Sequence, residues 1–211
     1  ADMYHSWGAW QGNLLIEGFY SDLDDVFALK ELGFENGVLV KERYNESGAR
    51  VFGGNIEGKI AWKNVFQLQL GFTAQNSNYK EARSWSEGIA ATRRMFRTPD
   101  FNGYMTASYN PVRPLTLAVT GTYTGSMLVE HHAGMIAENM TVETSPFWDM
   151  GLKAAYDIRL YKSFSLQMNA GVQNIFNSFQ KDFDTGADRD SGYIYGPTLP
   201  RAFFFGVKLL Y

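Results

Sequence analysis

The final residues of the chain, Leu199 to Tyr211, alternate between two chemistries. Counting back in twos from the end gives Tyr211, Leu209, Val207, Phe205 and Phe203, all apolar. The residues between them, Leu210, Lys208, Gly206, Phe204 and Ala202, include a charge and a glycine. Side chains two apart share one face of a β-strand. Such a strand wants an apolar medium on one side and tolerates water on the other. The same rhythm recurs at Phe164–Gln173, Trp148–Asp157, Leu115–Thr124 and Phe66–Gln75, and more faintly at Met105–Tyr109, Ile56–Trp62 and Leu14–Tyr20. It predicts an all-β fold of about eight strands, several near the ~9–11 residues that a tilted strand needs to cross a bilayer.

A soluble β-sandwich also alternates. Two features favour a transmembrane antiparallel β-barrel instead. The polar faces are built from Thr, Gln, Asn, Ser and Gly, with few Lys or Glu, which suits a crowded, wet interior. The connections are also unequal. Short ones (Lys63-Asn64, Pro111-Val112-Arg113-Pro114, Leu160-Tyr161-Lys162) take turns with long ones, about Asn76–Asp100, Gly125–Ser145 and Asn177–Thr198. Outer-membrane barrels pair short periplasmic turns with long extracellular loops in this way. The mean hydropathy of -0.26 is no objection, because alternating strands average out. The chain has no apolar run long enough for a transmembrane helix. With no cysteine it has neither a disulfide framework nor a Cys-based zinc site. A net charge of -3 leaves no basic footprint for nucleic acid.

If the last strand descends to the periplasm, the directions of the others follow. Trp62, Phe66, Tyr109 and Tyr156 then fall at the periplasmic interface, and Phe147, Trp148 and Tyr123 at the outer one. Aromatic girdles belong at these two levels. Glu17, Glu57, Lys59, Asp149, Lys153, Asp157 and Lys208 project to the inside in this register.

Three stretches carry a family resemblance. One is Gly18-Phe19-Tyr20-Ser21-Asp22-Leu23-Asp24-Asp25-Val26-Phe27. Another is Asn45-Glu46-Ser47-Gly48-Ala49-Arg50-Val51-Phe52-Gly53-Gly54-Asn55-Ile56-Glu57. The third is Val172-Gln173-Asn174-Ile175-Phe176-Asn177, a loop, then Tyr195-Gly196-Pro197-Thr198-Leu199-Pro200-Arg201 and the aromatic ending. In order and spacing these resemble the C-terminal barrel of TonB-dependent outer-membrane receptors, and Asp190–Pro197 looks most like receptors from Bacteroidota. Barrels of that family have about twenty-two strands around a plugged lumen. The resemblance implies that residues 1–211 are the C-terminal part of such a barrel, with the plug outside this chain. Tyr4–Trp10 reads as the end of an earlier strand and its turn, and the opening Ala1-Asp2-Met3 as a mature product or a fragment. The alternative is a self-contained eight-stranded barrel, either structural or a pore. A barrel hydrolase is a further rival, although no serine stands beside the His131-His132 pair.

The resemblance implies a receptor in the bacterial outer membrane for a scarce nutrient: an iron chelate, haem, cobalamin or a glycan. Its partners would be lipid, the remainder of the receptor, the TonB complex through the plug, and a surface lipoprotein. Candidate ligand contacts lie in the long loops. Arg93, Arg94 and Arg97, with Tyr79 and Trp85, offer cations and rings for an anionic ligand. His131 and His132 offer haem or metal contact, although adjacent histidines chelate poorly without a third ligand. Tyr193 and Tyr195 complete the set. Asp182, Asp184, Asp188 and Asp190 suggest loop calcium, with a spacing that is not an EF-hand. No resident cofactor and no catalytic residue is expected.

The aromatic ending is also expected to serve as the assembly signal. Replacing Tyr211 by Asp should lower the amount of inserted protein in outer-membrane fractions, and unchanged levels would contradict this.

Overall fold

The computed structural model describes every residue except Trp85 and Glu87, and among the rest every side chain except those of Lys30, Glu31, Phe34 and Leu39. The strands, in chain order, are β1 (Asp2–Trp7), β2 (Trp10–Leu23), β3 (Val26–Glu35), β4 (Val38–Glu46), β5 (Ala49–Trp62), β6 (Phe66–Arg83) and β7 (Thr92–Arg94). They continue with β8 (Phe101–Val112), β9 (Leu115–Thr124), β10 (Leu128–His131), β11 (Met140–Glu143), β12 (Phe147–Tyr161), β13 (Phe164–Gln173) and β14 (Ala202–Leu210). Nine of them make one antiparallel wall in the order β1-β2-β5-β6-β8-β9-β12-β13-β14, with β7 attached to β6. The β3–β4 and β10–β11 hairpins stand apart from the wall, in connections on its loop side.

The wall has one strand more than the alternation alone suggested, because residues 2–7 form β1 against β2. Several strands are also longer than their pattern. β6 continues to Arg83, and β8 runs from Phe101 to Val112 rather than over Met105–Tyr109 only. Above the apolar belt both faces of a strand meet water, so the period-two signal fades while the backbone ladder goes on. The β3–β4 hairpin, a fourth long excursion, went unread for the same reason.

The ladders place the apolar residues on one face. Along the turn end, Trp7, Trp10, Trp62, Phe66 and Tyr109 are cross-strand partners in one row. Near the loop end, Tyr20 pairs with Phe52 and Tyr123 with Trp148. Between these levels the outward positions carry no Asp, Glu, Lys or Arg. On β5, Phe52 and Trp62 are ten residues apart. At about 3.3 Å per residue and a tilt near 40°, that spans roughly 25 Å, the height of a lipid-facing band. Just above it the same face turns charged: Asp22 lies 3.1 Å from Arg50 and is also paired with Lys80, which in turn contacts Asp24. Lys80 first, and Arg50 after it, hold Asp22 down at about 2.

One girdle assignment changes. Phe147 pairs with Thr124, on the opposite face from Trp148, and is buried against Tyr195 and Gly196. Its neighbour Trp148 keeps the outward place.

The inner face carries the seven charged residues expected there, and Gln167 donates to Asp157 at 2.8 Å. Its large rings sit on glycine partners: Tyr104 lies over Gly71, Phe204 over Gly171 and Phe19 over Gly53. A side chain at Gly71 or Gly171 would overlap the facing ring. The turn end is closed tightly, with Gly8, Lys63 and Lys162 in the left-handed region.

β1 and β14 are the outer strands, and among the described residues no ladder joins them. The sheet is an open wall of nine strands, not a closed barrel of eight.

Val119 pairs with Ala107 and Leu152 in the middle of the apolar belt. Val119→Arg should destabilise the membrane-inserted full-length barrel by about 2–4 kcal/mol. Thr120→Arg, one residue along and on the inner face, should cost clearly less. Reversible folding into lipid vesicles measures both, and equal costs would contradict the assignment of faces.

Candidate functional site

The connections on the loop side bring together most of the residues singled out in the sequence. They form a small core of their own. Met127 and Val129, from the segment holding β10, pack against Tyr193 of the last loop, with Val142 and Tyr195 alongside. Val129 is fully buried and Tyr193 nearly so. The β10–β11 hairpin presents His131 to this core, where its ring stacks on Tyr193 with centroids 3.7 Å apart and planes parallel.

His131 Nε2 lies 3.0 Å from both carboxylate oxygens of Asp184. Both side chains are buried. Asp184 also accepts the backbone N–H of Asp190 at 2.9 Å. That N–H first, and the His131 contact after it, hold the Asp184 carboxyl below the usual carboxylate range. Asp190 in turn accepts the N–H groups of His132 and Gly192. Asp182 accepts the hydroxyls of Tyr193 at 2.7 Å and Tyr195 at 2.6 Å. Burial works to raise Asp182, and the hydrogen bonds it accepts, those of Tyr195 and Tyr193 foremost, outweigh it, so the net shift is downward. Burial and the same carboxylate push Tyr193 up to about 12 and raise Tyr195 further.

The arginines do not converge on one patch. Arg97 pins the loops to one another: its N–H donates to Leu128 O at 2.8 Å, and its guanidinium reaches the backbone oxygens of Ile194 and Gly192. It does so from a left-handed backbone conformation. Arg94 makes a two-pronged pair with Glu143, at 2.7 and 3.1 Å, which lowers the Glu143 carboxyl. Arg93 donates to the carbonyl of Lys80. Tyr79 lies under the Arg83 guanidinium, which pairs with Glu46 at 2.9 Å. Trp85 falls outside the described residues. His132 keeps its ring half exposed, 4.0 Å from Glu130. Asp188 brings its backbone oxygen against Gly134. Among the described residues no three His, Asp or Glu side chains converge on a point where a cation would sit. The carboxylates of Asp182, Asp184 and Asp190 are each held by donors of the protein itself.

Sequence reasoning missed the two asparagines that close the base of the last loop. Asn174, almost fully buried, donates to Ser178 O and Leu199 O and accepts the Ser178 N–H. Asn177 accepts the Arg201 N–H at 2.9 Å. The signal was present in the Val172–Asn177 and Leu199–Arg201 stretches, which are distant in sequence and meet here.

The fold is an open antiparallel wall of the kind that forms part of a β-barrel. Among the solved structures that match it, three do so over nearly the whole chain. One is the ferric-catecholate import receptor Fiu of E. coli K12 in its closed form, with a TM-score of 0.60, 19% identity, and 95% of this chain against 27% of that one. Another is the copper transporter OprC, with a TM-score of 0.56, 14% identity, and 98% against 30%. A third is a mutant of the ferric enterobactin receptor PfeA of Pseudomonas aeruginosa, with a TM-score of 0.57, 16% identity, and 98% against 29%. The chain therefore spans about three tenths of the length of the receptors it matches. No family profile and no curated protein sequence matches.

The loop cluster is expected to depend on pH with a definite sign. Asp184 is depressed in the fold, so its contribution is complete above the ordinary carboxylate value of about 4 and is lost as pH falls through its lower folded value. Protection of the loops from protease should hold from neutral pH to about 4 and fall below it. Asp184→Ala should remove that protection at pH 7 as well. Loops equally protected in the variant would contradict the assignment.

Proposed function

We propose that this chain is the C-terminal wall of a TonB-dependent receptor in the bacterial outer membrane, and that the receptor imports a chelated metal, an iron chelate foremost. One observation carries the reading. A nine-stranded open wall with an uncharged outward belt and long connections on one side alone fits, over nearly its whole length, part of a ferric-catecholate import receptor, of a copper transporter and of a ferric enterobactin receptor. A wall with two unpaired edges is not stable in hydrocarbon. The remaining strands, and a plug that meets the TonB complex, complete it. The chain does no chemistry; it supplies wall and loops.

The loop cluster sets the stage for the ligand. Arg97, His131, Asp184 and Tyr193 shape it from within. Arg93 and His132, with Tyr79, Tyr195 and Arg94 behind them, are the side chains that an anionic chelate would meet from outside. Trp85 belongs with them by its place in the sequence. Haem, cobalamin and glycans are the runners-up among cargoes. A capping lipoprotein would approach from the same side. The organisms named for the matched receptors, E. coli and Pseudomonas aeruginosa, lend no support to a Bacteroidota source.

The test is transport by the full-length protein. Replacing the segment from Ser126 to Thr144 with a short turn should leave the barrel assembled in the outer membrane and abolish uptake of labelled ferric catecholate. Arg93→Ala with His132→Ala should weaken binding several-fold, by roughly the 1–2 kcal/mol of one or two charged contacts. Uptake unchanged by the loop replacement would overturn the reading.

A further inference from the structure

The tip of the β3–β4 hairpin carries chemistry of its own. Glu35 pairs with Val38, so Asn36 and Gly37 alone make the reversal. Both have positive φ, 52° and 80°, as in a type I′ turn. Both are exposed. The Asn36 carboxamide has no hydrogen-bond partner among the described residues. The hairpin is a sheet of two strands, and a bulge between Glu31 and Gly33 breaks its ladder. A lone hairpin is only marginally stable in water, so its tip opens often.

The sequence holds one other Asn-Gly pair, Asn102-Gly103. It lies inside β8 and is half-buried. Thr73 and Phe72 of β6 face it on one side, and Thr124 and Tyr123 of β9 on the other. A Cβ at Gly103 would come within 3.0 Å of Gly71 O. The same dipeptide thus occurs once in an open turn and once in a wall clamped on both sides.

In such a pair the glycine nitrogen can attack the asparagine Cγ and close a five-membered ring. Glycine has no Cβ to obstruct the approach. The backbone must still rotate about the asparagine to bring nitrogen and Cγ together. The hairpin tip can make that rotation whenever it opens. Asn102 would have to break a ladder on each side to do the same.

We infer that Asn36 is a site of spontaneous deamidation, with water as the co-reactant. The Gly37 nitrogen bonds to Asn36 Cγ, the Cγ–Nδ2 bond breaks, and the Gly37 amide proton leaves with Nδ2 as ammonia. Water then opens the cyclic imide. Its hydroxyl adds to one of the two ring carbonyls, that carbon's bond to the Gly37 nitrogen breaks, and the remaining proton returns to the nitrogen. Attack at Cγ gives aspartate, and attack at the main-chain carbonyl gives isoaspartate. Nothing is oxidised or reduced. Either product puts a carboxylate beside Glu35 and adds one negative charge to a chain of net charge -3. Isoaspartate also lengthens the main chain by one atom, which a two-residue turn closing Glu35 on Val38 does not accommodate. The loop side therefore changes as the protein ages, without an enzyme. The reaction needs only the turn, so it stands or falls separately from the transport reading.

The experiment uses the full-length protein, purified in mild detergent and aged warm at mildly alkaline pH in water enriched in heavy oxygen. Peptide mapping by mass spectrometry, with fragmentation that separates aspartate from isoaspartate, follows each Asn-Gly pair. The Asn36 peptide should gain a single heavy oxygen, with isoaspartate the larger product, while the Asn102 peptide stays intact. In a second sample, aged in strong denaturant, both pairs should convert. Asn36→Gln should lose the modification, because its longer side chain would have to close a larger ring. An Asn36 that stays intact in the native protein while the denatured sample converts would overturn the inference. So would equal conversion of Asn36 and Asn102 in the native protein.

Discussion

Hydrocarbon offers no partner to a backbone N–H or C=O, and this constraint governs the chain. A strand within the lipid must be bonded on both sides or abut another piece of wall. From β2 through β13 every strand of the wall has two neighbours, and the turn end is closed by tight reversals that waste no backbone. With the polar backbone satisfied laterally, the faces are free to diverge. One is apolar without interruption, and the other carries amides, hydroxyls and a few charges. The aromatic rows and the Asp22–Arg50–Lys80 network mark where hydrocarbon ends and water begins.

The short sequence motifs find their physical reason in pairing across distance. Asp22 and Arg50 belong to different stretches and meet at the outer rim of β2 and β5. Asn174 and Asn177 close on Leu199 and Arg201 and hold the mouth of the last loop shut. Each clamp sits where a strand leaves the bilayer, the point at which lipid stops enforcing the ladder and side chains take over. On the inner face, rings seated on cross-strand glycines fill space that larger partners would crowd.

Legibility followed the solvent. Wherever one face met lipid, alternate residues showed it, so Leu166, Leu117 and Val207 were readable as outward and Lys153 and Asp157 as inward. The hairpin Val26–Glu46 stands on the loop side with Phe27 and Val38 exposed, and it left no dyad signal. Phe147 was assigned by proximity to Trp148, and the one-residue step puts it on the other face. The loop cluster was hardest. His131 and Asp184 are far apart in sequence, and nothing local announces that they touch. Arg93, Arg94 and Arg97 read as one basic patch, yet they point to three different partners because the loops they fasten arrive from separate strands.

The most direct measurement is a single-cysteine scan along β12, in a chain with no cysteine of its own, after insertion of the full-length protein into lipid vesicles. The account predicts that Trp148, Met150, Leu152, Ala154 and Tyr156 positions are quenched by lipid-borne probes, while Asp149, Gly151, Lys153, Ala155 and Asp157 positions are not. Labelling without a two-residue period, or with the two sets exchanged, would contradict it.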